Sequence, residues 1–226
     1  MDVVYILRND IEGEELRYSL RSLKNLPHDK VWFFGGEPEG LKPDKQVSFE
    51  QHGISTWEKV CWTIEQVCKN PEVSDDFYLF NDDFFVMKPV EELPYFYDGT
   101  LLRRIQDIKK KTVCIGSLYC TELEKARELL ISEHKKTYNY AVHVPMVINK
   151  EKALEVLGFR WITMFRSIYG NYWNVKGQQL KDVKITDDTT PDKTATFLST
   201  NDNSFANKAV GRYIRSAFPE KSEYEI

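Results

Sequence analysis

The sequence predicts an α/β fold with a largely parallel central sheet. Short apolar runs of strand length alternate along the chain with longer segments whose apolar residues recur at helical spacing. The 226 residues are 42% hydrophobic and 29% charged, which is typical of a globular chain with a substantial core. No internal repeat or low-complexity tract divides the chain. We therefore expect a single domain over residues 1–226.

The individual elements follow from periodicity and from capping patterns. A stripe of leucines at helical spacing marks the first helix. Ser55 with Glu58, and Thr121 with Glu124, match the capping box that opens a helix, and the Asn-Pro pair at residues 70–71 should end the first of these two. The predicted strands are residues 3–7, 31–34, 77–80, 113–116, 141–148 and 195–198. The predicted helices are residues 14–26, 55–69, 121–131, 151–157 and 204–217.

Charge and composition exclude some classes of function. Lysine and arginine number 31 against 35 acidic residues, so the net charge of −4 argues against a stable nucleic-acid partner. No apolar run is long enough to cross a bilayer, and the first residues lack the pattern of a signal peptide, so we expect no transmembrane segment. The four cysteines form no Cys-x-x-Cys pair, and we expect reduced thiols and a cytoplasmic location. They are Cys61, Cys68, Cys114 and Cys120.

The strongest candidate for chemistry is the run Asn81, Asp82 and Asp83, which directly follows the predicted strand 77–80. In parallel α/β sheets, ligands bind beyond the carboxyl ends of the strands. Two adjacent carboxylates flanked by aromatic residues are costly to bury unless a cation or hydrogen-bond donors meet them. Carboxylate oxygens suit Mg²⁺ or Mn²⁺, which can bridge to nucleotide phosphates. The alternative is an Asn-Asp turn that caps the backbone.

Two single residues are further candidates. His143 lies among aliphatic residues two positions before a proline, where it is either a hydrogen-bonded core group or a general base. Arg166 is either a surface ion-pair partner or a phosphate ligand in a partly apolar site. The sequence pattern alone does not decide between the structural and the functional role of either residue.

A second Asn-Asp pair follows the predicted strand 195–198. Asn201 and Asp202 either add polar ligands to the same site or cap the next helix. The preceding residues, about 171–194, form an irregular stretch that is either a loop over the site or a surface excursion.

Several of these segments together resemble one enzyme family. Residues 15–22 read Glu-Leu-Arg-Tyr-Ser-Leu-Arg-Ser, residues 77–83 end in Asn-Asp-Asp, and residues 143–145 read His-Val-Pro. An Asn-Asp pair and the ending Phe-Pro-Glu-Lys-Ser at residues 218–222, followed by Glu225, come later in the chain. In this order the segments resemble the Stealth family of sugar-1-phosphate transferases. That family includes bacterial capsular polysaccharide phosphotransferases and the lysosomal-enzyme N-acetylglucosamine-1-phosphotransferase.

The resemblance implies a three-layer, nucleotide-diphosphosugar-binding fold of the GT-A or Rossmann-like kind. It implies transfer of a hexose-1-phosphate from a UDP-sugar to a sugar hydroxyl of a glycan or polysaccharide acceptor, with release of UMP. The alternatives are a GT-A glycosyltransferase, which moves the sugar alone and releases UDP, and a non-catalytic binding module that keeps the fold.

The resemblance also implies roles for individual residues. His143 would take the proton from the acceptor hydroxyl, with Asp83 and Arg166 as the other catalytic residues. Asp82 and Asp83 would hold Mg²⁺ or Mn²⁺ on the diphosphate. The substrate-binding residues would be Arg17, Asn81, Asn201 and Asp202.

The aromatic content of 13% has two interpretations. Part is expected in the core, including Trp57 and Trp62 on the predicted helix 55–69. Another part brackets the proposed site, where aromatic faces would stack against sugar rings or a uracil base. This second group is Phe84, Phe85, Tyr140, Phe165 and residues 169–173.

Overall fold

The structure, a computed structural model, describes residues 1–11, 13–111, 118–159 and 162–226. Its strands are β1 (Asp2–Leu7), β2 (Val31–Gly35), β3 (Lys45–Ser48), β4 (Asp76–Phe80), β5 (Phe84–Val86), β6 (Tyr95–Tyr97), β7 (Met146–Asn149), β8 (Gly177–Gln179) and β9 (Phe197–Ser199). Its helices are α1 (Glu14–Ser22), α2 (Thr56–Lys69), α3 (Leu101–Lys111), α4 (Leu118–Ser132), α5 (Lys150–Leu157), α6 (Phe165–Tyr172), α7 (Asp202–Asn207) and α8 (Ala209–Ala217).

The central sheet has five strands in the order β3-β2-β1-β4-β7. Strands β1 to β4 are mutually parallel where they pair, and β7 runs antiparallel to β4. After β1 the chain moves outward through β2 and β3, and then returns to place β4 on the other side of β1. This reversal makes the carboxyl ends of β1 and β4 a topological switch point, the position where open α/β sheets bind ligands.

Both faces of the sheet are covered, as expected for parallel strands. Every residue of β1 is buried, and alternate side chains belong to different core clusters. Val4 packs with Ile64 of α2 on one face, and Val3 packs with Leu16 of α1 on the other. The prediction of an α/β fold with a mostly parallel sheet is confirmed, and the arrangement has three layers.

Local sequence explains where α2 begins and ends. The Ser55 side chain accepts a hydrogen bond from the Glu58 N–H at 3.2 Å, and the Glu58 carboxylate accepts from the Ser55 N–H at 3.3 Å. The capping box is therefore formed, and the helix ends at Lys69 before Asn70, as predicted. The predicted burial of its apolar face is confirmed for Cys61 but not for Trp57, which is only half-buried.

Several predicted boundaries are wrong. Helix α4 already includes Leu118, so Thr121 lies inside the helix and does not cap it. Residues 141–145 precede the short strand β7 and are not part of it. The predicted helix 204–217 is two helices, because the backbone is extended at Lys208. The predicted strand 113–116 lies outside the described residues.

The cysteine prediction is confirmed in part. Cys61 and Cys68 are free and buried, and burial raises the pKa of each thiol to about 12. Cys120 is disulfide-bonded, so the expectation of reduced thiols is wrong at that position. Cys114 lies outside the described residues. As for the membrane, no helix in the described part of the chain has both the length and the apolar character needed to cross a bilayer.

Candidate active site

The candidate site is a cleft at the carboxyl ends of β1 and β4. Three adjoining pockets lie along it, and we name them by their linings. The acidic pocket, of about 410 Å³, is lined by residues that include Glu14, Glu15, Asp82 and Asp202. The central pocket, also of about 410 Å³, is lined by residues that include Arg8, Asn9, Gln51, Lys59 and Asn81. The aromatic pocket, of about 230 Å³, is lined by residues that include Trp57, Tyr119, His143, Phe165 and Arg166.

The pockets are continuous because neighbouring ones share lining residues. Arg8 and Asp82 line both the acidic and the central pocket. Asn81 and Thr56 line both the central and the aromatic pocket. The run Asn81-Asp82 after β4 therefore divides a carboxylate-rich end of the cleft from an aromatic end. This is the position that the rule for parallel sheets predicted for that run.

His143 forms a hydrogen-bonded dyad with Asp182 at the aromatic end of the cleft. Its Nδ1 lies 2.8 Å from Oδ1 and 3.0 Å from Oδ2 of Asp182. The His143 backbone N–H also donates to Asp182 at 3.3 Å. A carboxylate on Nδ1 holds the proton there and leaves Nε2 as the basic nitrogen, as in a general base with an orienting partner. The imidazole side chain is 30% exposed and lines the aromatic pocket.

Asp182 is itself held in place by its neighbours. Its carboxylate accepts from the Lys184 N–H at 3.2 Å, and its own N–H donates to the Asp98 carboxylate at 3.3 Å. Burial alone would raise the pKa of Asp182, but the hydrogen bond and charge of His143 outweigh burial and lower it. The carboxylate is therefore ionised at neutral pH and acts on His143 as an acceptor.

Arg166 lines the same pocket as His143, and the charge of Asp83 partly compensates its own. Its guanidinium donates to the carbonyl of Val144 at 2.5 Å, to the carbonyl of Leu79 at 3.3 Å and to Asn81 Oδ1 at 3.2 Å. These acceptors are neutral, and the group also lies 4.9 Å above the ring of Phe84. Burial lowers the pKa of Arg166 to about 10, so it stays cationic at neutral pH. Such a fixed guanidinium suits an anionic ligand.

The two adjacent aspartates after β4 have different positions. Asp82 lines the cleft, and burial, followed by the charge of Asp83, raises its pKa to about 6. Asp83 Oδ2 instead accepts from Lys184 Nζ at 2.8 Å and from the Ser199 hydroxyl at 3.1 Å. Its Oδ1 is buried and has no hydrogen-bond partner among the residues that the structure describes. The structure thus brings Asp82 to the cleft, whereas Asp83, predicted as a catalytic residue and metal ligand, faces the segment that carries Lys184.

The carboxylates of the acidic pocket are suited in chemistry to a divalent cation. Burial and the neighbouring Asp202 raise the pKa of Glu15 to about 8, against the effect of its hydrogen bond from Thr200. Within the described ranges, no three His, Cys, Asp or Glu side chains converge closely enough to form a complete metal site. Mg²⁺ is commonly held by one or two carboxylates together with substrate phosphates and water, so Asp82 and its neighbours fit an ion that arrives with a phosphate ligand.

Two other predicted site residues have structural partners. Asn201 caps α7: its Oδ1 accepts from the Ser204 N–H at 2.8 Å. Arg17 lies on α1 and pairs with Glu225 at 3.1 Å, and it lines none of the three pockets. Of the predicted substrate-binding residues, the structure therefore brings Asn81 and Asp202 to the cleft and places Asn201 and Arg17 elsewhere.

The aromatic prediction is correct for only some of its members. Phe84 and Phe165 line the aromatic pocket. Phe85 stacks on Phe205 in a separate core cluster, and Tyr169 is buried with its hydroxyl bonded to the Asn149 N–H. The remaining members, Tyr140, Tyr172 and Trp173, also lie outside the aromatic pocket's lining.

Other residues of the cleft were not predicted. Asp182 comes from the irregular stretch, where sequence offers no signal for a contact 39 residues away. Trp57 was assigned to the core, and Tyr119 fell between the predicted strand 113–116 and the predicted helix 121–131, whereas the structure places it in α4. Arg8 could have been found, because it directly follows β1 just as Asn81 follows β4.

No protein-family model matches the chain, and no curated protein matches it. The resemblance to the Stealth family therefore stays a prediction from the motifs. The chemistry of the site rests on its own geometry.

Proposed function

We propose that this protein transfers a hexose-1-phosphate from a UDP-sugar to a hydroxyl of a glycan acceptor and releases UMP. The observation that carries the proposal is the His143–Asp182 dyad in one pocket with the guanidinium of Arg166, whose hydrogen bonds to Val144, Leu79 and Asn81 go to neutral oxygens, in a cleft at the switch point of a parallel sheet. The motifs that resemble the Stealth family support the same reaction. The dyad supports an acceptor that must lose a proton, and the resemblance to the Stealth family supplies the choice of a glycan hydroxyl.

The proposed step is an in-line displacement at phosphorus. Nε2 of His143 takes the proton of the acceptor hydroxyl. At the same time the oxygen of that hydroxyl attacks the phosphorus that carries the sugar. The bond from that phosphorus to the bridging oxygen breaks, and UMP leaves with the bridging oxygen. Asp182 holds the imidazole in the required tautomer and stabilises the imidazolium that forms.

Arg166 favours phosphorus as the centre that is attacked. Arg166 and His143 line the same pocket, so the cation would contact the transferred phosphoryl group close to the hydroxyl that the base deprotonates. In phosphoryl transfer, charge is spread over the oxygens of the transferred group, and a fixed guanidinium stabilises it. Asn81 orients that guanidinium through its Oδ1 at 3.2 Å.

The nucleotide end of the donor would lie in the central and acidic pockets. Arg8 and Lys59 of the central pocket offer cationic groups to the diphosphate. Asp82, with Asp202 and Glu15 nearby, would hold Mg²⁺ or Mn²⁺. When bound, the ion would neutralise charge on the diphosphate.

A second candidate is a glycosyltransferase that moves the sugar alone. A base in the aromatic pocket would serve it as well, but attack at the anomeric carbon would leave Arg166 without an anion at the reacting centre. The leaving nucleotide separates the two reactions. The first releases UMP, and the second releases UDP.

The test is product analysis after incubation with UDP-sugars, oligosaccharide acceptors and Mn²⁺. We expect UMP, and a phosphodiester-linked product. Asp182→Asn should lower the rate by roughly 10²- to 10⁴-fold, because the amide would favour the wrong tautomer of His143. Asp187→Asn is the matched control, since Asp187 lies on the same segment, is exposed and bonds only locally to Thr189. Release of UDP with a glycosidic product would refute the proposal in favour of the second candidate.

A binding module without activity is tested in the same experiment. If the wild-type protein binds UDP-sugars but releases neither nucleotide with any acceptor, the enzymatic proposal fails. Equal product formation by the wild type and His143→Ala would equally exclude the dyad as the base.

A further inference from the structure

We propose that the aromatic pocket is the acceptor subsite and that it binds a single pyranose ring against Trp57 and Tyr119. The assignment of this pocket to the acceptor rests on the proposed function. The binding of a sugar ring to this pocket, however, is a separate property that can be measured without any donor.

The pocket has an aromatic wall built by two helices. The rings of Trp57 and Tyr119 are stacked, with centroids 5.8 Å apart and planes 15° from parallel. Trp57 lies in the first turn of α2, which the Ser55 capping box fixes, and Tyr119 lies in α4. Both residues are half-buried, so the pair keeps exposed surface in the cleft. Phe165 adds a third ring to the lining.

Polar groups converge on the same pocket. His143, Arg166 and Asn81 line it together with the aromatic residues. Sites for sugars and other small polar ligands combine an apolar or aromatic wall with a few placed hydrogen-bonding groups. A pyranose ring matches this pattern, because its C–H face packs on aromatic rings while its hydroxyls form hydrogen bonds at the edge.

Size and charge define the ligand further. A volume of about 230 Å³ is below the range typical of pockets for drug-sized ligands, so we expect one ring and not a disaccharide in it. Among the described residues that line the pocket, none carries a carboxylate, in contrast to the acidic pocket. The aromatic pocket is therefore suited to a neutral or anionic sugar and not to a cationic one.

The position of His143 favours the acceptor, and not the uracil ring of the donor, as the ligand of the aromatic pocket. The hydroxyl that loses its proton must lie within hydrogen-bond distance of Nε2 of His143. The acceptor must therefore enter the pocket that His143 lines. The nucleotide has the central and acidic pockets, where Arg8, Lys59 and Asp82 lie.

The test is binding of methyl glycosides of glucose, galactose, mannose and N-acetylglucosamine, measured by saturation-transfer difference NMR without any nucleotide. We expect at least one glycoside to bind the wild type, and Trp57→Ala to weaken it roughly tenfold, since a ring stack is lost. Trp57→Phe, which keeps an aromatic face, should retain most of the affinity. Trp62→Ala is the matched control: Trp62 is also half-buried on α2 but packs on Phe49 and His52, away from the pocket.

Three results would overturn the subsite. The first is that none of the glycosides binds the wild-type protein. The second is that Trp57→Ala, folded as judged by its circular dichroism, binds them unchanged or is weakened no more than Trp62→Ala. The third is that UMP displaces the glycosides and loses its own affinity in Trp57→Ala. If glycosides bind through Trp57 while product analysis yields UDP or no product, the subsite stands and the sugar-phosphate transfer fails.

Discussion

The ion pair at Glu225 gives a prediction whose size follows from the structure. Glu225 accepts two hydrogen bonds from Arg21, at 2.7 and 2.8 Å, and one from Arg17 at 3.1 Å. Its side chain is fully shielded from solvent. Burial opposes ionisation, but the Arg21 and Arg17 hydrogen bonds and the Ser222 N–H outweigh it and lower the pKa of Glu225 from 4.5 to about 2.

Glu225→Gln should therefore destabilise the protein in a pH-dependent way. A carboxyl with a lowered pKa in the folded state stabilises it fully above its unfolded pKa, near 4.5, and progressively less as pH falls towards about 2. At about 1.4 kcal/mol per pKa unit, the loss at pH 7 is about 3 kcal/mol, or 2–3 kcal/mol with screening at the partly exposed Arg17. At pH 3 the same relation predicts that Glu225→Gln lowers the free energy of unfolding by only about 1 kcal/mol.

Urea unfolding at pH 7 and pH 3, followed by circular dichroism, measures this difference. Glu223→Gln is the matched control, because Glu223 is exposed and two residues away, and it should change the free energy of unfolding by less than about 0.5 kcal/mol. The reasoning is refuted if Glu225→Gln is no less stable than this control at pH 7. It is also refuted if the loss is as large at pH 3 as at pH 7.

Three further predictions concern the site and its supports. Lys184→Met should lower the free energy of unfolding, measured with urea, by about 3 kcal/mol, because it leaves Asp83 buried without its cationic partner. A change below about 1 kcal/mol would show that Asp83 needs no such partner. Gly211→Ala should cost at least about 3 kcal/mol, since an added Cβ would lie 1.7 Å from the Phe205 carbonyl oxygen; an unchanged melting temperature would contradict the close crossing of α7 and α8. We expect Mn²⁺ with a UDP-sugar to raise the melting temperature of the wild type, and both Asp82→Asn and removal of the ion with EDTA to abolish that rise; retention of the rise in Asp82→Asn would exclude Asp82 as the ligand.

The sequence predicted best those elements that local interactions determine. The start of α2 depends on Ser55 and Glu58, three residues apart, and both hydrogen bonds of the capping box are present. The short strands β5 and β9 were harder, because their pairing joins residues more than a hundred positions apart, such as Phe85 and Leu198. The break at Lys208 was missed; it places Gly211 close to the backbone of Phe205 in α7.

The candidate site could be predicted only where strand ends set its position. Asn81 and Asp82 follow β4 at the switch point, so topology alone brings them to the cleft. The same rule could not tell which of two adjacent aspartates lines the cleft; Asp82 does, and Asp83 contacts Lys184 instead. It also could not assign Arg17, because a conspicuous arginine on a helix is equally suited to the carboxylate of Glu225.

The irregular segment after β8 contributes side chains to the candidate site. Asp182 and Lys184 are two residues apart in an extended stretch, and they reach His143 and Asp83 respectively. Val183 between them packs against a core cluster, as alternation along an extended chain requires. The segment is in turn fixed to β9, since the Ile185 N–H donates to the Ser199 carbonyl at 2.9 Å. The same short stretch therefore holds the His143 imidazole and neutralises the Asp83 carboxylate, and loss of its register would disturb both together.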